Sequence, residues 1–292
     1  SFPGVTSQIG TRTIEAPITV SATTQPFIRT LAPMFSRNSI VVLTVSGFTV
    51  LPWTYDAAVA TPRISKVSNL ADNSSAIAPG SLVRIEGSDL SPVNLASRER
   101  PLPTALGESC ITVNGLPIPL IFVSNKEINA QLPFEVVGAT TLILRTPGGV
   151  SDNFNLNVTP TAPSVFRTSL QGLNGEVPVI VNSRNGLIVT GSNPLKHNDS
   201  IVIYLTGLGK TNPAVDAGLS SPSDPLARPL VTPVVRLAGV ELPIVFSGLT
   251  PGEVGVYQIN ALIPRWVPTG FSVPLEISQG GSVTTLTVRV IE

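Results

Sequence analysis

Apolar and polar residues alternate along this chain in short runs, separated by Gly, Pro and Asn. Period-two alternation is the signature of strands with one buried face. No window keeps apolar residues at i, i+3 and i+4 over three turns, so the pattern predicts strands and hairpins throughout. From residue 63 onward the reading is regular. RISKVSN and APGSLVRIEGSDL are single strands, CITVNG pairs with LPIPLIFV about a turn at Asn114-Gly115, and TTLILRTPGG pairs with NFNLNVTP about Pro147-Gly148-Gly149. After residue 160 the plan repeats. NDSIVIYLTGLG matches the earlier strand in position, TPVVRLAGVELPIVF holds a Gly-turned hairpin, and FSVPLEISQGGSVTTLTVRV turns at Gly280-Gly281. PVIVNSRNGLIVT adds a hairpin with Asn185-Gly186 as its expected two-residue turn. About seven short strands per stretch, with turn signals every 8–12 residues, is the sandwich pattern. The predicted fold is all-β: two tandem immunoglobulin-like β-sandwiches, at 63–160 and 161–292, preceded by a β-rich N-terminal segment at 1–62.

That first segment carries three β-like runs, at 11–20, 27–35 and 39–53. The last, SIVVLTVSGFTVLPW, is the longest apolar stretch in the chain. Its apolar residues fall on both alternation phases, which predicts one strand covered on both faces. Three strands bury too little apolar surface to stand alone. The segment is therefore expected to complete a neighbouring sheet or to be the remnant of an upstream domain. Ile40, Val42, Leu43, Val45, Phe48 and Val50 are the candidate strand-addition residues.

One theme occurs twice. Residues 113–134 read VNGLPIPLIFVSNKEINAQLPF and residues 237–265 read LAGVELPIVFSGLTPGEVGVYQINALIPR. Each is a strand, a Gly turn, a Pro-rich strand, a loop, then Ile-Asn-Ala, an apolar residue and Pro. Asn129 and Asn260 are equivalent in this register. A buried Asn there is expected to bond loop backbone groups and fix the turn before the Pro.

Composition narrows the function classes. Charged residues are 12%, about half the ~25% usual for soluble domains. Net charge is zero and Lys occurs only at 66, 126, 196 and 210, so no basic patch argues for nucleic acid or an anionic membrane. Such low charge gives little colloidal repulsion and permits self-association. No run of ~18 apolar residues predicts a membrane span. Cys110 is the one cysteine, expected as a small buried residue on a strand. The chain starts at Ser1 without Met or a basic-then-apolar leader, the expectation for a processed or excised piece whose export signal has been removed.

The run IAPGSLVRIEGSDLSP, then PLPTALGESCITVNGLPIPLIFVSNKEINAQLPFEV, SIVIYLTGLGKTNPAVDAG and GLTPGEVGVYQINALIP, resembles the Solibacter uncharacterised C-terminal domain family over roughly 63–292. The resemblance implies a pair of immunoglobulin-like folds of the IPT/TIG type in a bacterial, exported protein. It implies no reaction, because the family brings no catalytic residues to carry over.

Candidate chemistry is sparse. A triad needs a His base, and His197, the one histidine, sits in a polar loop context without a G-x-S-x-G elbow. One His and one Cys leave zinc and copper without a ligand set. Asp72, Asn73, Asp89, Asp216 and Asp224 lack calcium-loop spacing and read as turn residues. Spacing alone leaves paired carboxylates open, since such pairs meet only in the fold; the glutamates mostly lie in or beside strands. No phosphate cradle occurs, and no cofactor is expected. Carbohydrate binding needs an aromatic platform, for which Trp53, Tyr55 and Trp266 are the rings outside obvious core strands. The expectation is a non-catalytic extracellular or cell-surface module, sharpest as a self-assembling filament subunit using β-strand addition. The alternative is a carbohydrate-binding or adhesive accessory domain. Its partners would be a second copy of the chain, a glycan or a cell-surface protein.

Overall fold

The computed structural model describes residues 60–292 throughout. Before them it describes the backbone of five strands, Val5–Ile9, Arg12–Ala16, Ile28–Met34, Ser39–Thr44 and Gly47–Pro52, with the side chains of Ile40 and Val41. The chain divides into two compact units, 1–59 and 60–292. Among the described residues the secondary structure is β, and no helix is long and apolar enough to cross a membrane.

In the first unit Val5–Ile9 pairs with Arg12–Ala16, and a separate three-stranded antiparallel sheet runs Ile28–Met34, Ser39–Thr44, Gly47–Pro52. The run 39–53, expected as one strand, is instead a hairpin. Thr44 pairs with Gly47 and Ile40 with Leu51. Apolar residues on both alternation phases have a simpler origin than a doubly covered strand: the run holds two paired strands, each with its own alternation.

The second unit is two antiparallel sandwiches. In the first, one sheet is ordered Arg63–Asn69, Leu82–Ser88, Glu127–Gln131, Leu120–Val123, Leu95–Ala96. It faces a sheet of Leu116–Pro117, Cys110–Val113 and Gly138–Thr146, the last extended by Gly149–Val150 and Phe154–Val158. Ile85, Ile111, Leu120, Ile128, Leu142 and Leu144 fill the space between them. The second sandwich packs the sheet of Leu187–Ile188, Ile180–Asn182, Ser200–Thr206, Tyr257–Leu262 and Ile244–Leu249 against a second one. That partner is built on Gly270–Gln279 and Ser282–Ile291 with Val234–Leu237. Tyr257 is wholly buried, and its hydroxyl donates to the Gly209 carbonyl.

The duplicated theme encodes a change of sheet. LPIPLIFV was expected to continue the hairpin from CITVNG, yet only Leu116–Pro117 pairs there, and Leu120–Val123 joins the opposite sheet. Ile118 N still donates to Ile111 O at 3.0 Å, and from Pro119, whose carbonyl accepts from Gln131 N, the chain bonds the opposite sheet. Prolines suit such a crossover, where a regular ladder is not needed on both sides. The second copy repeats this: Val240–Glu241 closes a hairpin, Pro243 intervenes, and Ile244–Leu249 crosses over. Both crossing strands carry a bulge at the same place, between Leu120 and Phe122 and between Ile244 and Phe246. The Asn185-Gly186 signal also resolves differently: Asn182 pairs with Leu187, so four residues make the loop.

The two sandwiches are locked together. Phe134 lies in the first sandwich by sequence, but its ring is 5% exposed within the core of the second. The Gln131 side chain, 1% exposed, accepts from Gly218 N at 2.6 Å and donates to Gly80 O at 3.3 Å. Leu82 N donates to Thr206 Oγ1 at 3.2 Å, and that hydroxyl donates on to Gly255 O at 3.0 Å. Backbone bonds Leu102 N to Gly218 O and Arg167 N to Ala71 O close the remainder. Gln131 and Thr206 thus each bond a group across the junction, which offsets the cost of burying them.

Candidate functional site

The far end of the second sandwich collects the exposed aromatic surface. Gly280 approaches Thr161 so closely that a Cβ there would lie 2.8 Å from its hydroxyl, which sets the Gly280-Gly281 end of the hairpin at the junction. Gly270, at the other end of a ten-residue strand, is therefore about 30 Å away.

Two turns meet at that distal end. The strand Tyr257–Leu262 runs out through Ile263-Pro264-Arg265-Trp266-Val267-Pro268 before Gly270–Gln279 begins. Ile263 and Val267 are 1% and 2% exposed and, with the buried Pro264, hold this passage from below, while Arg265 and Trp266 face outward. Trp266 is 73% exposed. The neighbouring turn, 196–199, is organised by Asp199, whose buried carboxylate accepts from Lys196 N at 2.8 Å and Asn182 Nδ2 at 2.7 Å. Arg184 Nε stands 3.4 Å from its other oxygen. Three bonds staple the turns: Ile263 N to Asp199 O, Asn198 N to Ile263 O, and His197 Nε2 to Val267 O at 3.0 Å. His197 is thus half-buried and tied to a carbonyl, where the sequence suggested a solvated loop.

Phe271 begins the following strand and is 81% exposed. Alternation alone places it inward, in phase with the buried Val273, Leu275 and Ile277. A bulge between Gly270 and Val273 reverses the phase and turns the ring out. This is the ring that the sequence reading missed. Arg289 stacks over it at 4.6 Å and donates to Gly191 O at 2.7 Å. Arg265 Nε is held by Asn198 Oδ1 at 3.3 Å. Among the described residues neither guanidinium has a carboxylate partner in an ion pair. The arrangement offers two rings in water, one with Arg289 stacked on it, and a second anchored cation, Arg265, next to Trp266 in sequence.

The other candidates distribute as follows. Ile40, Val42 and Leu43 lie on Ser39–Thr44, the central strand of its sheet, whose two edges pair with Ile28–Met34 and Gly47–Pro52. Phe48 and Val50 lie on the edge strand Gly47–Pro52, and Ile40 is half-buried. Val45, Trp53 and Tyr55 lie outside the described residues. Cys110 opens a strand but is half-buried rather than buried. Asn129 and Asn260 do not fix turns. Each sits mid-strand opposite the Phe that follows the bulge, Phe122 and Phe246, and neither buried Oδ1 finds a protein partner.

The fold places two carboxylates side by side. Glu86 and Glu127 are cross-strand neighbours, each matched by a cation, Lys66 at 3.1 Å and Arg84 at 3.3 Å. Alternating charge across a sheet face is a ladder of compensated pairs. Asp72 accepts from Ser74 N, and Asn73 and Asp89 bond Arg84 and Asn125, the work of turn residues. No group of three or more His, Cys, Asp or Glu side chains clusters among the described residues.

No protein-family model matches the chain, and no curated protein matches it. Among solved structures, it resembles the SGBP-B protein of the Bacteroides ovatus mixed-linkage glucan utilization locus, crystallised with a mixed-linkage heptasaccharide. The identity is 13%, over 87% of this chain and 52% of that one, with a TM-score of 0.34. SGBP-B from a complex xyloglucan utilization locus in Bacteroides uniformis matches at 11% identity over 78% of this chain and 49% of its own, TM-score 0.25. The I9-I11 tandem of titin matches at 13% identity over 96% and 85%, TM-score 0.21. The chain spans about half the length of the two Bacteroides proteins. At these identities and scores no function passes from them to this chain.

Proposed function

We propose that this chain is a non-catalytic extracellular binding or adhesive module of a secreted bacterial protein, contacting carbohydrate through the distal end of the second sandwich. The observation that carries it is Trp266 at 73% and Phe271 at 81% exposed. Large rings left in water forgo about 2–3 kcal/mol of burial each, and exposed large apolar surface marks contact sites. Flat rings suit the apolar faces of sugars, and a turn pinned by Ile263, Val267 and Asp199 presents them with little entropy left to lose. Membership of the Solibacter C-terminal family belongs to the same proposal, as does a secreted or cell-surface location.

The test is a glycan array probed with the whole chain and with Trp266→Ala and Phe271→Ala. Binding that falls at least tenfold in either variant, with the thermal midpoint unchanged, supports the reading. An array with no bound glycan, or binding indifferent to both rings, overturns it.

Self-assembly into a filament is the second reading. It is favoured by the three-stranded sheet of 28–52, whose outer strands pair with no further strand among the described residues; open edges of small sheets invite augmentation. Sedimentation at high concentration, with and without residues 1–55, decides it: a monodisperse monomer, or assembly that survives the deletion, removes strand donation by this segment.

A further inference from the structure

The ligand's charge can be inferred from the cations beside the rings, an argument that rests on the carbohydrate reading above. The distal end holds Arg184, Lys196, Arg265 and Arg289 against two acids, Asp199 and Glu292. Asp199 is 5% exposed and consumed by Arg184, Asn182 and the Lys196 amide. Glu241, on a hairpin of the same sandwich, is paired with Arg236 at 2.9 Å. That leaves Lys196, Arg265 and Arg289 facing Glu292 in a chain whose net charge is zero.

The two arginines are held rather than free. Arg289 is stacked on Phe271 and anchored through one terminal nitrogen to Gly191 O. Arg265 is anchored through Nε to Asn198 Oδ1, and Asn198 takes the left-handed backbone, φ 66°, that brings the turn against it. In each case the anchor uses one donor of five and leaves a fork of N–H groups toward solvent. A planar fork fixed in place and lacking an acid is the geometry that accepts a carboxylate bidentately. Arg289 covers Phe271, and Arg265 is the sequence neighbour of Trp266, both exposed on the same turn. A neutral sugar would use the rings and leave both forks unanswered.

We propose that the distal end of the second sandwich binds an acidic polysaccharide, a polymer of uronic acids. Trp266 and Phe271 lie against the sugar rings while Arg265 and Arg289 take the carboxylates.

Affinity electrophoresis of the whole chain through gels containing polygalacturonate, a sulfated polysaccharide or neutral mixed-linkage glucan tests this. Polygalacturonate is expected to retard the chain most, with the apparent Kd rising about tenfold between 50 and 500 mM NaCl as the charges are screened. Arg265→Gln, which removes an exposed guanidinium bonded to Asn198, should weaken retardation at least threefold, and Arg265→Gln with Arg289→Gln at least tenfold, at unchanged thermal midpoint. Equal or stronger retardation by the neutral glucan, or by the sulfated polymer alone, overturns the uronate proposal and leaves the carbohydrate reading standing. No retardation by any polymer, or retardation indifferent to Trp266→Ala, overturns both.

Discussion

Truncating Phe134 to alanine should destabilise the sandwich next door to the one that contains it in sequence. A phenylalanine offers roughly 200 Å² of side-chain surface. At 5% exposure nearly all of it is buried, worth about 5 kcal/mol at 25 cal/mol/Å². The unfolded chain already hides part of that area, and alanine keeps its own Cβ, so Phe134→Ala is expected to cost about 4 kcal/mol, inside the ~3–5 kcal/mol usual for such truncations. The site has little capacity to collapse, because Gly80 already sits where a Cβ would lie 2.2 Å from the ring. Urea denaturation followed by far-ultraviolet circular dichroism gives the total. Native-state hydrogen exchange gives its location. Amides of Ser200–Thr206 and Tyr257–Leu262, whose side chains share a core with Phe134, should lose protection at least as much as those of Leu82–Ser88. If protection loss is confined to residues 63–158, Phe134 is energetically a member of its own sandwich and the account of a shared core is wrong.

Gln131→Leu keeps the volume but strands Gly218 N–H and Gly80 C=O in a dry junction, which should cost about 2–3 kcal/mol in the same urea experiment. Gly207→Ala should be worse than its size suggests, about 3 kcal/mol or more, because φ is +84° and the new carbon would meet Ala162 O at 2.1 Å. Soluble yield and thermal midpoint report it. Ala238→Asn should stabilise by about 0.5–1 kcal/mol: Ala238 occupies the left-handed region at φ 50° where the first copy has Asn114 at φ 49°, and a rise of a few degrees in midpoint checks it. Tyr257→Phe leaves Gly209 O without its buried donor and should cost about 1–2 kcal/mol.

The strands of 63–292 were legible because turn residues punctuate an alternating pattern. Asn114-Gly115 and Gly280-Gly281 each make the two-residue turn expected of them, both residues at positive φ. What the pattern could not carry was anything set by a change of phase. Phe271 reads as core and is on the surface because one bulge lies ahead of it. LPIPLIFV reads as one strand and is two, in different sheets, although the prolines that flank the crossover were visible. Residues 39–53 read as one strand because apolar residues run through both halves and Ser-Gly is a weaker turn signal in sequence than Asn-Gly. Of the candidate site, Trp266 could be named from composition alone, since two tryptophans in 292 residues leave few rings to consider. The anchoring of its neighbour Arg265 by Asn198, and of Arg289 over Phe271, depended on segments far apart in sequence, and no local signal records that.

A ring lent by one sandwich to its neighbour's interior has a bearing on how such a protein can be rearranged. Excised alone, the segment up to residue 160 would carry Phe134 as a bare ring, while the segment after it would close around a vacancy. Gene fusion, truncation and domain shuffling should therefore succeed only when they move the tandem whole, and the pair rather than the single sandwich is the unit of inheritance.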